Sequence, residues 1–196
     1  RGKAPDQCAA ITHDTPSIGG LVTIAPLFFA ERLRGSSLAE VRAVCRQHLS
    51  LTHPNDVLAK VCDDYVVLLN DLLFAEGEQI AREIIADSAQ RSLGLNLPEL
   101  GSKTNNDSDV VGGLYSIACY IDGSWPGVLY LACKYHAALK AGLLVNANLG
   151  GDNVHRGAVL GTLLGLAGAT TVEEFYAGLA DHEDIENEII GLLNTK

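Results

Sequence analysis

Residues 146–157 read NANLGGDNVHRG and bring together residue types that could hold a substrate phosphate and a metal ion. Adjacent glycines allow a ligand to approach the backbone, and Asp152 follows them where the next apolar run begins. At the start of a helix, exposed N–H groups and the helix dipole favour an anion. A simpler interpretation is that the glycines only form a turn and that Asp152 only caps the helix. The residue types alone leave both interpretations open.

The elements that must position this stretch are predicted to be helices. Ser37 and Glu40 have the spacing of a capping box, and apolar residues recur with helical periodicity from there. The next helix has Thr52 as a candidate cap and Pro54 in its first turn, and a further helix stops near Gly94. VVGGLYSIACYI and PGVLYLACKYHAALKAGLLV are apolar enough to lie in a core. No strand pattern competes over a comparable length, so the sequence predicts an all-α fold.

A single globular helical domain is expected over residues 1–196, since a chain of this length forms one domain with a substantial core. Residues 94–109 are the one long polar connection, and we expect a surface loop there. Its NNDSD segment lacks the spacing and the terminal Glu of a calcium loop, so a solvated turn is predicted. The chain begins at Arg1 and contains no Met. We therefore expect it to lack an N-terminal part.

Gly157, Gly161 and Gly165 recur at every fourth position of the helix that follows the quoted stretch. Each glycine costs about 1 kcal/mol relative to Ala in a helix interior. Close packing of another backbone against this smooth face would compensate for that cost. The sequence therefore predicts a central helix that is buried along its glycine stripe.

Charge and cysteine content narrow the function classes. The chain has 14 Lys+Arg against 24 Asp+Glu, a formal net charge of -10, which predicts that it binds neither nucleic acid nor anionic lipid. No apolar run reaches the length of about 20 residues that crosses a bilayer. Five widely spaced cysteines, mostly among apolar residues, are typical of free thiols. We expect a soluble protein of a reducing, intracellular compartment, the cytoplasm.

Four stretches, in order along the chain, resemble the ADP-ribosylglycohydrolase family. NANLGGDNVHRGAVLGTLLGLAGA is similar to its C-terminal signature, in which Asn-x-Gly-Gly-Asp-Thr-Asp-Thr leads into a helix rich in Gly and Ala. SIGGLVTIAPL resembles its Gly-rich loop, LTHPNDVLAK its Thr-His-Pro helix start, and EEFYAGLADHEDIENEIIGLL its closing helices. The resemblance extends from about residue 17 to residue 193.

The resemblance implies an all-helical hydrolase that usually holds two Mg²⁺ ions and cleaves the glycosidic bond between ADP-ribose and a protein side chain or related acceptor. It makes Asp152 a metal ligand, with His155 as a second candidate. Where the family has its second Asp this chain has Val154, which cannot bind a cation that prefers carboxylate oxygen. The early Thr-Asp-Asp segment of the family is not found in these residues. Two ions, one ion and none therefore stay open, and the catalytic acids stay unassigned.

The same resemblance places the Gly-rich loop against the diphosphate and ribose of the ligand. It assigns ligand contacts to these positions: Ser17, Gly19, Gly20, His53, Asn148, Gly150 and Gly151. Thr23 stands where the family commonly has an Arg. For His53 an ordinary helix start is an equally good interpretation.

Two functions stay open at this point. The first is a magnesium-dependent ADP-ribosylglycohydrolase whose partner is ADP-ribose or an ADP-ribosylated protein. The second is a non-catalytic relative, either an ADP-ribose binder or a structural protein, because Val154-His155-Arg156 looks more like the branch that includes the J-crystallins. The sequence makes no prediction of the oligomeric state.

Overall fold

The structure is a computed structural model that describes residues 2–4, 7–75, 77–104, 106–168 and 173–194. Within these ranges the fold is all-α, which confirms the prediction. The described residues form no strand, and their only β-type pairings are isolated bridges at Ser17–Tyr120 and Val111–Tyr115. A 3-10 turn at Ile18–Leu21 precedes the helices. The helices are α1 (Ile24–Leu33), α2 (Leu38–Ser50), α3 (Asp56–Leu73), α4 (Glu78–Leu93), α5 (Leu97–Lys103), α6 (Asp107–Val110), α7 (Ile121–Lys134), α8 (Leu139–Asn148), α9 (Asn153–Leu166), α10 (Glu173–Ala177) and α11 (His182–Leu193).

Two helix boundaries follow the sequence signals closely. At the start of α2 the capping box forms, since Ser37 Oγ accepts the Glu40 N–H and the Glu40 carboxylate accepts the Ser37 N–H. At the end of α4, Gly94 adopts a left-handed φ of +67°, which glycine reaches without strain. At each of these two boundaries, the interacting residues lie within about one helical turn of each other in the chain.

The predicted start of α3 is wrong by one turn. Asn55, and not Thr52, accepts a backbone N–H of the first turn, and the helix begins at Asp56. Pro54 lies before the helix instead of inside it. A proline disfavours the α conformation of the residue that precedes it. His53 is therefore left in the connection before α3.

The core is built around α3, α7 and α9. Every residue from 123 to 133 of α7 is buried, as expected for a helix with neighbours on all sides. The Trp125 ring meets the Tyr65 ring of α3 edge-to-face, with 5.8 Å between the ring centroids. Helix α9 packs against α3, α7 and α8. Its buried side chains are Arg156, Val159, Leu160, Leu163 and Leu164.

The surface loop predicted over residues 94–109 is instead largely helical. Helices α5 and α6 both lie in this segment, with Asn96 capping α5 and the buried Leu97 anchoring it. The solvated turn predicted for NNDSD is also wrong. The Asp107 carboxylate accepts hydrogen bonds from Tyr130 Oη at 2.9 Å, Lys134 Nζ at 2.7 Å and Tyr135 Oη at 2.7 Å. Partners distant in the chain therefore order a segment whose composition is typical of a loop.

Asp107→Asn is expected to lower the free energy of unfolding at pH 7 by about 1–3 kcal/mol, since hydrogen bonds to a charged group contribute about that much. Burial raises the pKa of Asp107, but the hydrogen bonds from Lys134, Tyr135 and Tyr130 outweigh it and lower the pKa below its ordinary value of 3.8. The contribution is therefore full above pH 3.8 and is lost as pH falls through the folded-state pKa. Urea denaturation at pH 7 and pH 3 measures both effects.

Glu99→Gln is the matched control for Asp107→Asn. Glu99 forms an exposed ion pair with Lys103 on α5, and such pairs contribute between about 0 and 1 kcal/mol. Equal losses of stability in the two variants at pH 7 would contradict the anchoring role of Asp107.

The glycine stripe of α9 is not its buried face, which corrects the prediction. A Cβ built on Gly165 would meet nothing within 4 Å, and one on Gly161 would make an ordinary contact of 3.7 Å with Leu143 Cδ2. Only Gly157 is tightly packed, where a Cβ would lie 2.9 Å from Asn146 Nδ2. The apolar residues of α9 occupy the neighbouring face, so they, and not the glycines, direct the helix into the core.

Gly165→Ala is expected to raise the free energy of unfolding by about 0.4–1 kcal/mol, because alanine restricts the unfolded chain and fits the open space. Gly157→Ala is the control on the same helix, and its methyl group would displace the Asn146 amide. We expect that variant to lose stability. Thermal or urea unfolding measures both, and a loss in Gly165→Ala would contradict the open environment of that residue.

Within the described ranges, no helix combines the length and the hydropathy that a bilayer-spanning segment requires. Helices α10 and α11 occupy the segment that resembles the closing helices of the family.

Candidate functional site

Three segments that are distant in the chain meet at the start of α9. They are residues 17–20 before α1, residues 116–120 before α7, and the loop between α8 and α9. The Ile18 N–H donates to the Cys119 carbonyl at 2.8 Å, and the Ile121 N–H donates to the Pro16 carbonyl at 2.9 Å. The Asp152 N–H donates to the Ile117 carbonyl at 2.9 Å. Residues 116–120 therefore join the other two segments through backbone hydrogen bonds.

The two glycines of the α8–α9 loop have different surroundings. Gly150 and Gly151 both have positive φ, at +72° and +65°. A Cβ on Gly150 would meet nothing within 4 Å, whereas one on Gly151 would overlap the Ile117 carbonyl and lie 2.6 Å from Ile117 Cβ. Gly151 thus allows the backbone of residues 116–120 to approach the helix start.

Asp152 is the residue before α9, but its side chain does not cap the helix. It pairs instead with the His155 imidazole, whose Nδ1 lies 2.9 Å from Oδ1 and 3.0 Å from Oδ2 of Asp152. This contact requires the proton on Nδ1 of His155. The cap interpretation of Asp152 is therefore wrong for its side chain, and the site gains an oriented imidazole.

Gly19 and Gly20 lie between two imidazoles. The Cβ position of Gly19 is 3.7 Å from His155 Cε1, and that of Gly20 is 3.0 Å from His53 Cγ. Burial lowers the pKa of His53, and the nearby His155 lowers it further. His53 is therefore neutral at pH 7, and His53 Nδ1 lies 2.8 Å from Thr52 Oγ1. Ser17, almost fully buried, has its hydroxyl 3.5 Å from the Cβ position of Gly19.

A buried arginine fixes the α8–α9 loop through hydrogen bonds. Arg156 is 1% exposed, and its Nε donates to Asn146 Oδ1 at 2.6 Å. Its Nη2 donates to the Gly150 carbonyl at 2.9 Å. Burial lowers the pKa of Arg156, and the charge of Asp152 opposes that shift. The loop that carries Asp152 is thus fixed by the side chain of Arg156.

Comparison with known proteins places this arrangement in a family. The family model described as ADP-ribosylglycohydrolase matches residues 1–195. The chain belongs to the ADP-ribosylglycohydrolase family. No curated protein and no solved structure matches it. The family resemblance carried by the GGD motif is therefore confirmed over almost the whole chain.

The structure places most of the residues expected to contact a ligand around the start of α9. Ser17, Gly19, Gly20 and His53 lie on one side of the site, and Gly150, Gly151, Asp152 and His155 lie on the other. Asn148 ends α8 with an exposed side chain. Asn146, one turn earlier, makes the contacts to α9 and Arg156.

The described residues do not fit the two-magnesium site of the family. Among them, no group of three or more His, Cys, Asp or Glu side chains lies close enough to hold a metal ion. Val154, at the position of the second family Asp, is 74% exposed. The Asp152 carboxylate is already engaged by His155, and Mg²⁺ prefers oxygen ligands in octahedral geometry.

The sequence interpretation missed two contributors to this site. Residues 113–120 were expected in the core with their apolar neighbours, but they form an irregular segment with Leu114, Ile117 and Tyr120 exposed. The adjacent glycines 112 and 113 were the available signal for such a break. Arg156 was also missed. An Arg on the apolar face of a helix, at helical spacing from Val159 and Leu160, marks a buried cation that needs acceptors.

Proposed function

We propose that this chain binds ADP-ribose, free or attached to a protein, at the site where residues 17–20 meet the start of α9, and that it hydrolyses the glycosidic bond to the acceptor. The observation that carries the proposal is the convergence of Gly19–Gly20, His53 and the Asp152–His155 pair in a member of this family. Each of these groups offers a contact that suits ADP-ribose.

The diphosphate is expected to lie at the N-terminus of α9. This helix of 14 residues begins at Asn153, and its free N–H groups and dipole favour an anion. The Cβ position of Gly19 lies 3.5 Å from Ser17 Oγ and 3.7 Å from the His155 ring, so a ligand at this point would meet these two side chains. His53, neutral at pH 7, adds polar nitrogens without a charge.

The ribose is expected to contact the Asp152–His155 pair, since a carboxylate and an imidazole match the donors and acceptors of sugar hydroxyls. In hydrolysis the water oxygen bonds to the anomeric carbon and gives a proton to a side chain within hydrogen-bond reach, while the acceptor leaves with the electrons of the broken glycosidic bond and takes up a proton. Asp152 and His155 are the groups that the described part of the site offers for this step.

A second function is an ADP-ribose binder without hydrolytic activity. The observation in its favour is the exposed Val154, where the family has a carboxylate. The site would then retain the groups that hold the ligand and lack a group that the reaction needs.

Two measurements on the same protein decide between these functions. Calorimetry with ADP-ribose, with and without Mg²⁺, measures binding, and release of ADP-ribose from an ADP-ribosylated protein measures hydrolysis. Binding with release supports the hydrolase, and binding without release supports the binder. No binding in either condition overturns both. Val154→Asp tests the metal, since a restored carboxylate should strengthen binding in Mg²⁺ only.

Asp152→Asn tests the site itself. We expect ADP-ribose binding to weaken at least about tenfold, because hydrogen bonds to a charged group contribute about 1.5–3 kcal/mol. Asp87→Asn, on the exposed face of α4, is the matched control and should bind as the wild type does. Equal affinities in the two variants would place the ligand elsewhere.

The cysteines support a reducing, intracellular compartment as part of the proposal. All five are free. Burial raises the pKa of Cys45 to about 11 and that of Cys62 to about 12, so both thiols stay protonated and unreactive at neutral pH.

A further inference from the structure

A second pocket lies at the other end of α7, between α4, α5 and α7. Its volume is about 290 Å³, near the lower end of the range of small-molecule pockets. Arg82 enters it from α4, Ser102 from α5, and Lys134 from α7. None of the described residues that line it is acidic. The chain has a net charge of -10, so a pocket lined by two cationic side chains differs from the charge of the protein as a whole.

Lys134 is held in place by two hydrogen bonds and retains a third N–H donor. An ammonium group has three N–H donors. Within the described residues, Asp107 Oδ1 accepts one at 2.7 Å and Tyr130 Oη another at 3.3 Å. The Nζ atom also lies 5.6 Å from the ring centroids of Tyr130 and Tyr135. The ammonium is thus positioned at low conformational cost, and its remaining N–H is available to a ligand.

Asp107 offsets the charge of Lys134, but the Arg82 guanidinium leaves the pocket with a net positive charge. The Asp107 carboxylate is shared between Lys134, Tyr130 and Tyr135, and it is not among the lining residues. Glu99, the acidic residue of α5, is engaged by Lys103. Arg82 presents a planar guanidinium, which matches the geometry of an oxyanion.

We propose that this pocket binds a small phosphate-type oxyanion, with Arg82 and Lys134 as its charged ligands and the Ser102 hydroxyl as a neutral one. The Ser102 hydroxyl now donates to the Glu99 carbonyl at 2.8 Å and can rotate toward a bound anion. The pocket is separate from the site proposed for ADP-ribose, because it lies at the C-terminal end of α7 whereas that site borders the N-terminal end of α7. The anion could be inorganic phosphate or a phosphomonoester, which share this chemistry.

NMR of the wild-type protein tests the location directly. Sodium phosphate is titrated to millimolar concentrations at constant ionic strength, with sodium chloride as the reference. We expect saturable shifts of the backbone amides of residues 101, 102, 133 and 134. Shifts confined to residues 17–20 and 150–155, or no saturable shift, would overturn the proposal. A parallel titration with glycerol 2-phosphate shows which source of the oxyanion binds more tightly.

Two arginines of α4 provide matched variants. Arg82→Gln should weaken phosphate binding at least about tenfold, because it removes a charged hydrogen-bond donor. Arg91→Gln changes an arginine outside the pocket, which pairs with Asp71 at 3.8 Å, and should leave the affinity unchanged. Equal affinities in Arg82→Gln and the wild type, or equal losses in the two variants, would contradict the assignment. If Arg82→Gln does not fold, the wild-type shifts alone decide the outcome.

Discussion

Gly151→Ala is expected to lower the free energy of unfolding by about 2–5 kcal/mol and to abolish ADP-ribose binding. A left-handed φ costs a residue with a Cβ about 1–2 kcal/mol. Overpacking adds about 1–3 kcal/mol, because the new methyl group would overlap the Ile117 carbonyl and force residues 116–120 away from α9. The backbone hydrogen bond from Asp152 to Ile117 would be lost with that movement. Urea denaturation and calorimetry with ADP-ribose measure the two effects.

Gly150→Ala isolates the contribution of the overlap. Gly150 has a φ of +72°, close to the +65° of Gly151, but open space surrounds its Cβ position. We expect the free energy of unfolding of this variant to fall only by the cost of a left-handed φ for alanine, about 1–2 kcal/mol. If both variants lose the same stability, the contact between Gly151 and Ile117 does not constrain the loop.

Arg156→Met is expected to lower the free energy of unfolding by about 2–5 kcal/mol. Methionine fills most of the volume, but Asn146 Oδ1 and the Gly150 carbonyl would lose their donor in a buried environment. Leaving a buried polar group unpaired costs about 1–3 kcal/mol, and this variant would leave two such acceptors. The α8–α9 loop should then also lose its affinity for ADP-ribose.

Two variants control for the loss of an arginine as such. Arg91→Met removes a guanidinium whose side chain is 63% exposed, and it should change stability by less than about 1 kcal/mol. Arg156→Lys keeps the charge but cannot reproduce the planar fork, so we expect an intermediate loss. Similar stabilities of Arg156→Met and Arg91→Met would show that the buried network does not hold the loop.

Local patterns in the sequence were sufficient for the helical class and for much of the helix order. The Ser37–Glu40 capping box and the glycine that ends α4 act between residues within one turn, so their effect can be read from neighbours in the chain. Four short stretches, of which the GGD motif is the most specific, indicated the family that the match over residues 1–195 confirms. These features need no knowledge of packing.

The sequence offered more than one interpretation for some segments, and the structure shows which of them is correct. Asn55 caps α3 because Pro54 moves the helix start past Thr52. Residues 97–103 form a helix in a polar segment because Leu97 is buried, and Asp107 is fixed by side chains of α7 and the following residue. The glycine stripe of α9 was assigned to the wrong face because spacing alone does not distinguish tolerated from required glycines.

The chemistry of the site depends on tertiary structure to a greater degree than the fold does. The sequence by itself determined which residue types stand at the start of α9 and that Val154 replaces a carboxylate. Only the tertiary structure decided that Asp152 pairs with His155, that Gly19 and Gly20 separate His155 from His53, and that Arg156 supports the loop. The physical reason is that the contacts of Gly19 and Gly20 join segments distant in the chain, and that the contacts of Arg156, although only 6 to 10 residues apart, form because the side chain is buried. Their energies depend on burial and on distances that only the packed core fixes.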